Sequence, residues 1–433
     1  MADERRTFLF MPESAYGPTN NCIGIGNVLL QRGHRVVFAA ERSWEGKLAA
    51  LGFEEDLVDL APAPEEEVEQ DAGQFWKDYI REVSPEFRKT TAEQLETVTL
   101  PIWQALVDGA KYCEPQLKAI IERVRPDVVV EDNVLAFPAL VTAGVPFVRI
   151  VSCNPLEVPG DDIAPVFSGL AEDDRAAWPA FRAEYDRTHR ALWQEFDAWV
   201  QEQGAPALPE LEFIHRGDAN LYVYPEVLDY TDARPLDETW HRLDSSVRET
   251  EQAPAELPAS FTDGSRPLVY FSLGSLGSAD VELMRRVIAA LADQPINVIV
   301  SKGPLHDEIE LADNMWGAEF LPQTTILPLV DLVITHGGNN TTTEALHFGK
   351  PMVLLPLFWD QYDNAQRVHE KGYGLRLDPY RFTPDELADA VRTLVGDAAL
   401  RERVAAAGAE IRSRDGVSAA ADVIERVGAR ERV

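Results

Sequence analysis

The chain has 433 residues and a mass of 48.2 kDa, and 45% of its residues are apolar and 26% charged. These values are ordinary for a folded protein of two or three domains and exclude a disordered, collagen-like or coiled-coil chain. The formal net charge is −33, from 40 Lys and Arg against 73 Asp and Glu, and such a surface repels nucleic acid. An anionic substrate would therefore need a local site whose groups favour negative charge.

Short, continuous, β-branched apolar runs alternate with longer helical patterns along the chain. Such runs predict strands buried on both faces, and their alternation with helices predicts parallel sheets in an α/β fold. In chain order the predicted strands are Thr7–Met11, Val36–Ala39, Val128–Val130, Val148–Val151, Leu221–Tyr224, Leu268–Ser272, Asn297–Ser301, Leu332–Thr335, Met352–Leu355 and Gly374–Leu377.

Two helical segments, 65–125 and 171–203, are rich in aromatic residues. Amphipathic packing against the first sheet explains these residues, but some of them could instead wall a pocket for a flat, apolar acceptor. The aromatic residues are Phe75, Trp76, Tyr79, Phe87, Trp103, Trp178, Phe181, Tyr185, Trp193, Phe196 and Trp199.

A polar segment without periodicity, residues 244–266, divides the chain and is predicted to be a linker. On each side of it a βα series begins with a strand that runs into a Gly-containing turn. We therefore predict an N-terminal Rossmann-like lobe over 1–243 and a second over 267–433, facing each other across a cleft. Ligands in such folds collect beyond the carboxyl ends of the strands.

The most informative turn follows the predicted strand Leu332–Thr335. It reads His336-Gly337-Gly338, and residues 339–343 (Asn, Asn, Thr, Thr, Thr) then open a helix. Free N–H groups at a helix N-terminus bind anions, and the glycines allow a phosphate to approach the backbone. An ordinary turn capped by Asn would explain the same residues. The acid that follows at Glu344 and the pair Asp360-Gln361 after the next strand favour the anion site.

The segment 320–364 resembles the donor-binding motif of GT-B-fold, nucleotide-sugar-dependent glycosyltransferases, and fits best the family of UDP-glycosyltransferases and bacterial macrolide-type glycosyltransferases. That motif runs W-x-P-Q, H-x-G-x-N-[ST]-x-x-E, G-x-P and [DE]-Q-x-x-N. The corresponding residues are Phe320-Leu321-Pro322-Gln323, the run 336–344 (HGGNNTTTE), Gly349-Lys350-Pro351 and the run 360–364 (DQYDN). The resemblance implies an α/β, GT-B fold, with two Rossmann-like lobes whose parallel sheets face each other across a cleft.

The resemblance also implies a role for each matching residue. Phe320 would stack on the nucleotide base in place of a Trp, Gln323 would lie near the base and ribose, and Glu344 would hold the ribose hydroxyls. Asp360 and Gln361 would bind the sugar hydroxyls. The diphosphate would be held by His336, Gly338, Asn340, Thr341 and, in the family's SLGS turn at 272–275, Ser275.

These donor groups can stabilise the charge that develops on a departing nucleoside diphosphate without a metal ion. The chain contains no DxD motif. We therefore expect metal-independent transfer with inversion at the anomeric carbon. No cofactor is expected besides the co-substrate, a UDP- or dTDP-sugar.

The acceptor side departs from the family pattern. The family's R-G-H motif is present at Arg32-Gly33-His34, but counting back without a gap places the family's H-G-H at Tyr16, Gly17 and Pro18. The histidine that normally deprotonates the acceptor is therefore missing.

Asp132 matches the carboxylate that usually supports that histidine, and three functional interpretations and one structural interpretation remain open. Asp132 could itself be the base, with its pKa raised by burial. Glu13, at the end of the first strand, could assist it. The acceptor could instead be acidic enough to need only positioning. Asp132 could also merely cap the turn after its strand.

We therefore predict an inverting glycosyltransferase that moves a sugar from a UDP- or dTDP-sugar to a small hydrophobic or aromatic acceptor. The alternative is a catalytically silent relative that keeps the nucleotide-sugar site and acts as an auxiliary protein. The expected partners are small molecules rather than nucleic acid, and a homodimer is compatible with the sequence.

The cysteines and the N-terminus suggest where the protein acts. Cys22, Cys113 and Cys153 are odd in number and far apart, which predicts neither disulfides nor a zinc site. The N-terminal apolar run is too short for a signal peptide, and no run of about 18 apolar residues could span a membrane. We expect a cytoplasmic protein.

Overall fold

A computed structural model describes residues 5–62, 81–247 and 257–429. Within these ranges thirteen strands form two sheets. The strands are β1 Thr7–Pro12, β2 Arg35–Phe38, β3 Glu54–Glu55, β4 Val128–Asp132, β5 Phe147–Val151, β6 Ala219–Val223, β7 Trp240–Leu243, β8 Leu268–Ser272, β9 Asn297–Ser301, β10 Met315–Ala318, β11 Leu332–Thr335, β12 Met352–Leu354 and β13 Gly374–Arg376.

Nine described helices have nine or more residues. They are α1 Tyr16–Gln31, α2 Leu100–Val124, α3 Trp178–Glu202, α4 Val281–Leu291, α5 Asn339–His347, α6 Gln361–Glu370, α7 Pro384–Gly396, α8 Ala398–Arg412 and α9 Gly416–Gly428. Single-turn helices also occur, at Thr91–Gln94, Pro138–Val141, Ala259–Thr262, Gly274–Gly277 and Gln323–Ile326. None of the described helices is long and apolar enough to cross a membrane.

Both sheets are parallel throughout. The first has the order β3-β2-β1-β4-β5-β6-β7 and the second the order β10-β9-β8-β11-β12-β13. The α/β fold with two parallel sheets predicted from the sequence is confirmed. The three strands that the sequence did not predict, β3, β7 and β10, lie at sheet edges, and each is short and only partly buried, so none gives the continuous buried apolar signal.

Each sheet has one point at which the strand order reverses direction. In the first sheet this switch point lies between β1 and β4, and in the second between β8 and β11. The helices leave neighbouring strands toward opposite faces there, so a crevice opens beyond the strand ends. The two crevices are where functional side chains of the two lobes are expected to meet.

Apolar side chains fix the two faces of the first sheet. Leu9 and Val129 pack under α2 and α3, while Phe8 and Phe10 pack under α1 and α9. The strands are therefore apolar on both faces, which explains their continuous rather than alternating pattern. Helices α4 to α8 cover the second sheet in the same way.

The last helix, α9, returns to the first sheet although it follows the second sheet in sequence. Ala420 and Ile424 are fully buried against the same face as Phe8. The side chain of Glu425 lies 2.6 Å from Arg32 Nη1 and 2.7 Å from His34 Nε2. The range 267–433 assigned to the second lobe thus includes a helix that packs on the first.

The chain crosses between the lobes at two neighbouring places. The first crossing begins after Leu243, and the second precedes α9. Arg414 Nη1 lies 3.0 Å from Asp244 Oδ2, and a Cβ atom at Gly416 would lie 2.0 Å from the carbonyl oxygen of Ser245. The two crossings therefore touch. Residues 248–256 of the segment 244–266 lie outside the described part of the chain.

Candidate active site

A cavity of about 350 Å³ lies between the carboxyl ends of the two sheets. Its wall is formed by residues that follow β1, β4 and β5 in the first lobe and β8, β11 and β12 in the second. All twelve site residues predicted from the sequence line it, namely Glu13, Asp132, Ser275, Phe320, Gln323, His336, Gly338, Asn340, Thr341, Glu344, Asp360 and Gln361. Both switch points thus open into one cavity.

Glycines on two loops enclose the imidazole of His336. A Cβ atom at Gly274 would lie 2.7 Å from Cε1 of the ring, and one at Gly338 would lie 2.5 Å from Nε2. Any larger residue would therefore have to displace the ring. Burial lowers the pKa of His336 to about 4, so near pH 7 the imidazole is neutral and has one N–H to donate.

The turns that carry this histidine need unusual backbone. Gly274, after β8, has φ +72°, and Gly337, after β11, has φ +87°. A side chain at Gly337 would also meet the carbonyl oxygen of Gln361 at 2.9 Å. These two glycines allow both turns to approach closely, so Ser275 and the start of α5 face the same part of the cavity.

A second group of cavity residues from the second lobe is joined by hydrogen bonds. Gln323 Nε2 donates to Glu344 Oε2 at 2.6 Å and lies 3.3 Å from Thr341 Oγ1. The Tyr270 hydroxyl donates to Gln323 Oε1 at 3.3 Å. Glu344 is only 4% exposed, so its carboxylate is held in place inside the cavity wall. A pair of ribose hydroxyls is the kind of ligand that such a carboxylate can accept from.

Phe320 stands at the mouth of the cavity and is 49% exposed. Its ring centroid lies 6.2 Å from that of Tyr16, which belongs to the other lobe and in turn contacts Trp44. An exposed ring at the rim of a polar pocket is suited to stacking on a flat ligand.

Asp360 and Gln361 follow β12 at the boundary of the two lobes. The backbone N–H of Asn154, from the first lobe, donates to Asp360 Oδ2 at 2.8 Å. Burial raises the pKa of Asp360 to about 7. The side-chain oxygen of Gln361 accepts from the N–H groups of Leu357 and Phe358, so its amide NH2 is the group that it presents to a ligand.

The two acids of the first lobe lie side by side at its switch point, where Asp132 pairs with Pro12 across β4 and β1. Asp132 is 1% exposed and accepts a hydrogen bond from Ser152 Oγ at 2.6 Å. Burial raises its pKa well above the usual range, and the nearby carboxylates of Glu157 and Glu13 add to this effect.

The carboxylate of Glu13 is already occupied by the turn that begins α1. It accepts from Ser14 Oγ at 3.0 Å and from the N–H of Ala15 at 2.8 Å. Burial raises the pKa of Glu13 as well, although these hydrogen bonds oppose the effect. Of the two acids, Glu13 is therefore the less available to accept a proton.

Apolar side chains complete the first lobe's side of the cavity. Ile102 and Leu106 from α2, together with Val134, Phe358 and Trp359, line it. The aromatic residues of the two helical segments serve mainly as packing: Trp103 stacks on Phe213 at 4.2 Å, and Trp178 and Phe196 are buried. Phe75, Trp76 and Tyr79 lie outside the described residues.

Sequence reasoning left open whether Asn21 has a functional role, and it missed Ser152 and Trp359 as contributors to the site. Asn21 and Ser152 form hydrogen bonds beside Asp132, and Trp359 has φ +58° and packs on Phe167 at 4.4 Å. Only their positions in the sequence could have indicated a role: Asn21 follows β1, Ser152 follows β5, and Trp359 precedes the pair Asp360-Gln361. Among the described residues no group of three or more His, Cys, Asp or Glu side chains could hold a metal ion.

Comparison with known proteins agrees with this geometry. The family described as "UDP-glucoronosyl and UDP-glucosyl transferase" matches residues 243–408. Demethyllactenocin mycarosyltransferase of Streptomyces fradiae is 26% identical over 96% of this chain and 85% of its own length. Oleandomycin glycosyltransferase of Streptomyces antibioticus is 26% identical over 95% of this chain and 88% of its own.

A solved structure matches over nearly the whole chain. The glycotransferase of kitacinnamycin superposes with a TM-score of 0.74 at 25% identity, covering 98% of this chain and 99% of that one. Fold, cavity and relatives thus lead to the same assignment. The family model, the relatives that match over most of the chain and the solved structure all support the family of UDP-glycosyltransferases and bacterial macrolide-type glycosyltransferases with a GT-B fold.

Proposed function

We propose that the protein is an inverting, metal-independent glycosyltransferase that moves a sugar from a UDP- or dTDP-sugar to a hydroxyl of a small hydrophobic or aromatic acceptor. One observation carries this proposal. Both switch points open into a single cavity, in which the second lobe supplies hydrogen-bond donors and the first lobe supplies buried carboxylates and an apolar wall.

In the proposed reaction the acceptor oxygen attacks the anomeric carbon from the face opposite the diphosphate. The new C–O bond forms as the bond to the β-phosphate oxygen breaks, and its electron pair leaves on the diphosphate. A single displacement of this kind inverts the configuration. The neutral His336 and the N–H groups at the start of α5 would stabilise the charge on the leaving group.

The acceptor's proton would pass to Asp132. Its raised pKa is favourable for a general base, because a carboxylate whose pKa lies above the usual range holds an incoming proton more strongly. Glu13 is the second candidate, and an acidic acceptor such as a phenol would reduce the need for either. The apolar wall formed by Ile102, Leu106 and Val134 supports a hydrophobic acceptor.

On the donor side we propose that Phe320 stacks on the base and that Gln323 and Glu344 hold the ribose. Ser275, Gly338, Asn340 and Thr341 would join His336 at the diphosphate, and Asp360 and Gln361 would bind the sugar.

We further propose that no cofactor takes part and that the enzyme acts in the cytoplasm on small molecules, as a monomer or a homodimer. All three cysteines are free, which suits a reducing compartment. Light scattering tests the oligomeric state, and turnover in excess EDTA tests the independence from metal.

The central experiment combines binding with stereochemistry. His336→Ala and Glu344→Ala should each weaken UDP or dTDP binding about tenfold or more by calorimetry, since each removes a contact to a charged or strongly polar ligand group. NMR of the product from a panel of phenols should show the inverted anomer. Unchanged affinity in both variants would overturn the donor site, and a retained anomer would overturn the displacement. Nucleotide binding without any product would instead favour the catalytically silent relative.

A further inference from the structure

We call the side of the cavity formed by the second lobe, with His336 and Asn340, the donor half, and the side formed by the first lobe, with Asp132, the acceptor half. A row of hydrogen-bonded polar side chains connects the donor half with Asp132. At its centre is Asn21 of α1, which is 1% exposed. The amide nitrogen of Asn21 donates to Ser152 Oγ at 2.6 Å and to Asn340 Oδ1 at 3.1 Å. Its amide oxygen accepts from Ser246 Oγ. Every hydrogen-bonding group of this amide is therefore used.

Both ends of the row reach residues with proposed roles in the reaction. Ser152 Oγ donates to Asp132 Oδ2 at 2.6 Å. Asn340, whose oxygen faces Asn21, donates from Nδ2 to the carbonyl oxygen of Gly17 at 3.0 Å. A continuous path of hydrogen bonds thus runs from Asn340 in the second lobe through Asn21 and Ser152 to Asp132 in the first.

The hydrogen positions along this path follow from the chemistry of its members. In its ionised form, which is the form that can take the acceptor's proton, Asp132 can only accept, so the single hydroxyl hydrogen of Ser152 is directed at it. Ser152 must then accept from its other neighbour, which requires the NH2 side of Asn21. The same orientation places a donor against Asn340 Oδ1, and the opposite orientation would set oxygen against oxygen.

We propose that Asn21 is a positioning residue that couples the donor site to the base. It fixes the amide of Asn340, so that one N–H of Nδ2 is held on the carbonyl oxygen of Gly17 and the other is left to donate to the diphosphate, and it fixes the hydroxyl of Ser152 on Asp132. The inference rests on the proposed function, because it assumes that Asn340 binds the diphosphate and that Asp132 accepts the proton.

Loss of Asn21 should affect both the donor site, through Asn340, and the proposed base, through Ser152. Without it, Asn340 loses the contact that orients its amide, and Ser152 loses the donor that polarises its hydroxyl. The Ser152 hydrogen bond lowers the pKa of Asp132 against the effect of burial, so weakening it should raise that pKa further. The other titratable groups around Asp132 are Glu13, Cys22, Glu131, Cys153 and Glu157.

The test uses the full-length protein with Asn21→Ala and, as a matched control, Asn27→Ala. Asn27 lies on the same helix, is half-buried and does not line the cavity. In Asn21→Ala we expect about three- to tenfold weaker UDP binding by calorimetry, the effect of about one lost hydrogen bond. The acid limb of the kcat/KM profile should also move to higher pH. Asn27→Ala should change neither measurement.

Ser152→Ala separates the two effects. It should move the acid limb in the same direction while leaving UDP affinity within about twofold, because Asn21 still holds Asn340. A merely structural role of Asn21 would lower activity without displacing the profile. If Asn21→Ala does not fold, Asn21→Ser takes its place, since a hydroxyl keeps the site polar but cannot span both contacts.

Failure of this inference differs from failure of the proposed function. If Asn21 variants match the wild type in UDP affinity and pH profile while His336→Ala loses UDP and Asp132→Asn loses turnover, the coupling is wrong and the function stands. If the wild-type protein binds no UDP or dTDP, the proposed function fails first.

Discussion

The donor and acceptor halves of the cavity meet at the same place but are built differently. The donor half depends on backbone: two turns with left-handed glycines, the start of α5, and a histidine that fits only because Gly274 and Gly338 carry no side chain. The acceptor half depends on side chains far apart in sequence, such as Asp132 and Ser152. Backbone geometry leaves a local signature in the sequence, whereas contacts between distant side chains do not.

The largest expected effect tests the acceptor half. Asp132→Asn should lower kcat by about 10²- to 10⁴-fold, because it removes a general base while keeping the side chain's shape. Glu13→Gln should cost much less, since the Glu13 carboxylate is already engaged by Ser14 and Ala15. Steady-state kinetics with a weakly acidic acceptor measures both. A loss below threefold in Asp132→Asn would reduce this residue to a support of the loop.

Kinetics of Asp132→Asn with a series of acceptors also distinguishes a general base from a residue that only positions the acceptor. If Asp132 removes the proton, the fold-loss in Asp132→Asn should shrink as the acceptor phenol becomes more acidic. A loss that is independent of acceptor pKa would indicate that the acceptor needs only positioning.

The next effect tests the dependence of the donor half on glycine. Gly338 has φ −57°, which any residue can adopt, so Gly338→Ala changes only the contact with the His336 ring at 2.5 Å. We expect the ring to be displaced and UDP affinity to fall about 10- to 100-fold, the range for a hydrogen bond to a charged group. Calorimetry measures this loss.

Gly396→Ala provides the matched control. A Cβ atom at Gly396 would meet no atom within 4 Å, and this residue ends α7 away from the cavity. Its UDP affinity should equal that of the wild type. Equal affinity in Gly338→Ala would show that the histidine does not contact the diphosphate.

A smaller effect is expected at the exposed rim. Phe320→Ala should weaken UDP binding by about tenfold, in line with the usual contribution of about 1–3 kcal/mol for a base stacked on an aromatic ring. Phe320→Trp should retain or improve the affinity, because the larger ring offers the same face. If both variants bind as the wild type does, the base lies elsewhere.

The smallest effect is a pH dependence of donor binding. Burial holds the pKa of His336 near 4 in the empty site, and a bound diphosphate favours the charged imidazolium, so this pKa rises in the complex. Binding then takes up protons, and affinity for a UDP-sugar should increase by about twofold as the pH falls from 8 to 5.5.

His336→Gln should abolish that increase. Asp360, whose pKa is raised to about 7 by burial, titrates in both proteins, so the difference between them isolates the histidine. Calorimetric titrations without acceptor at several pH values provide the comparison. An identical slope in the two proteins would assign the dependence to another group.

The same contrast explains how much could be predicted from sequence. The nine central strands, the edge strand β13, the parallel sheets and the turn after β11 were predictable, because buried apolar runs and the H-G-G turn are local signals. The edge strands β3, β7 and β10 were not, since they lack that apolar signal. The roles of Asn21 and Ser152 were not predictable either, because Asn21 contacts Asn340, which is 319 residues away, and Ser152 contacts Asn21, which is 131 residues away.

The neighbouring chain crossings, where Arg414 meets Asp244 and Gly416 meets Ser245, also limit how the cleft can open. Because α9 is anchored to the first sheet while α8 packs on the second, a rotation of one lobe against the other must bend both connections. An engineered cross-link between the two connections would restrain that rotation at a place outside the cavity, whose lining includes neither Arg414 nor Gly416.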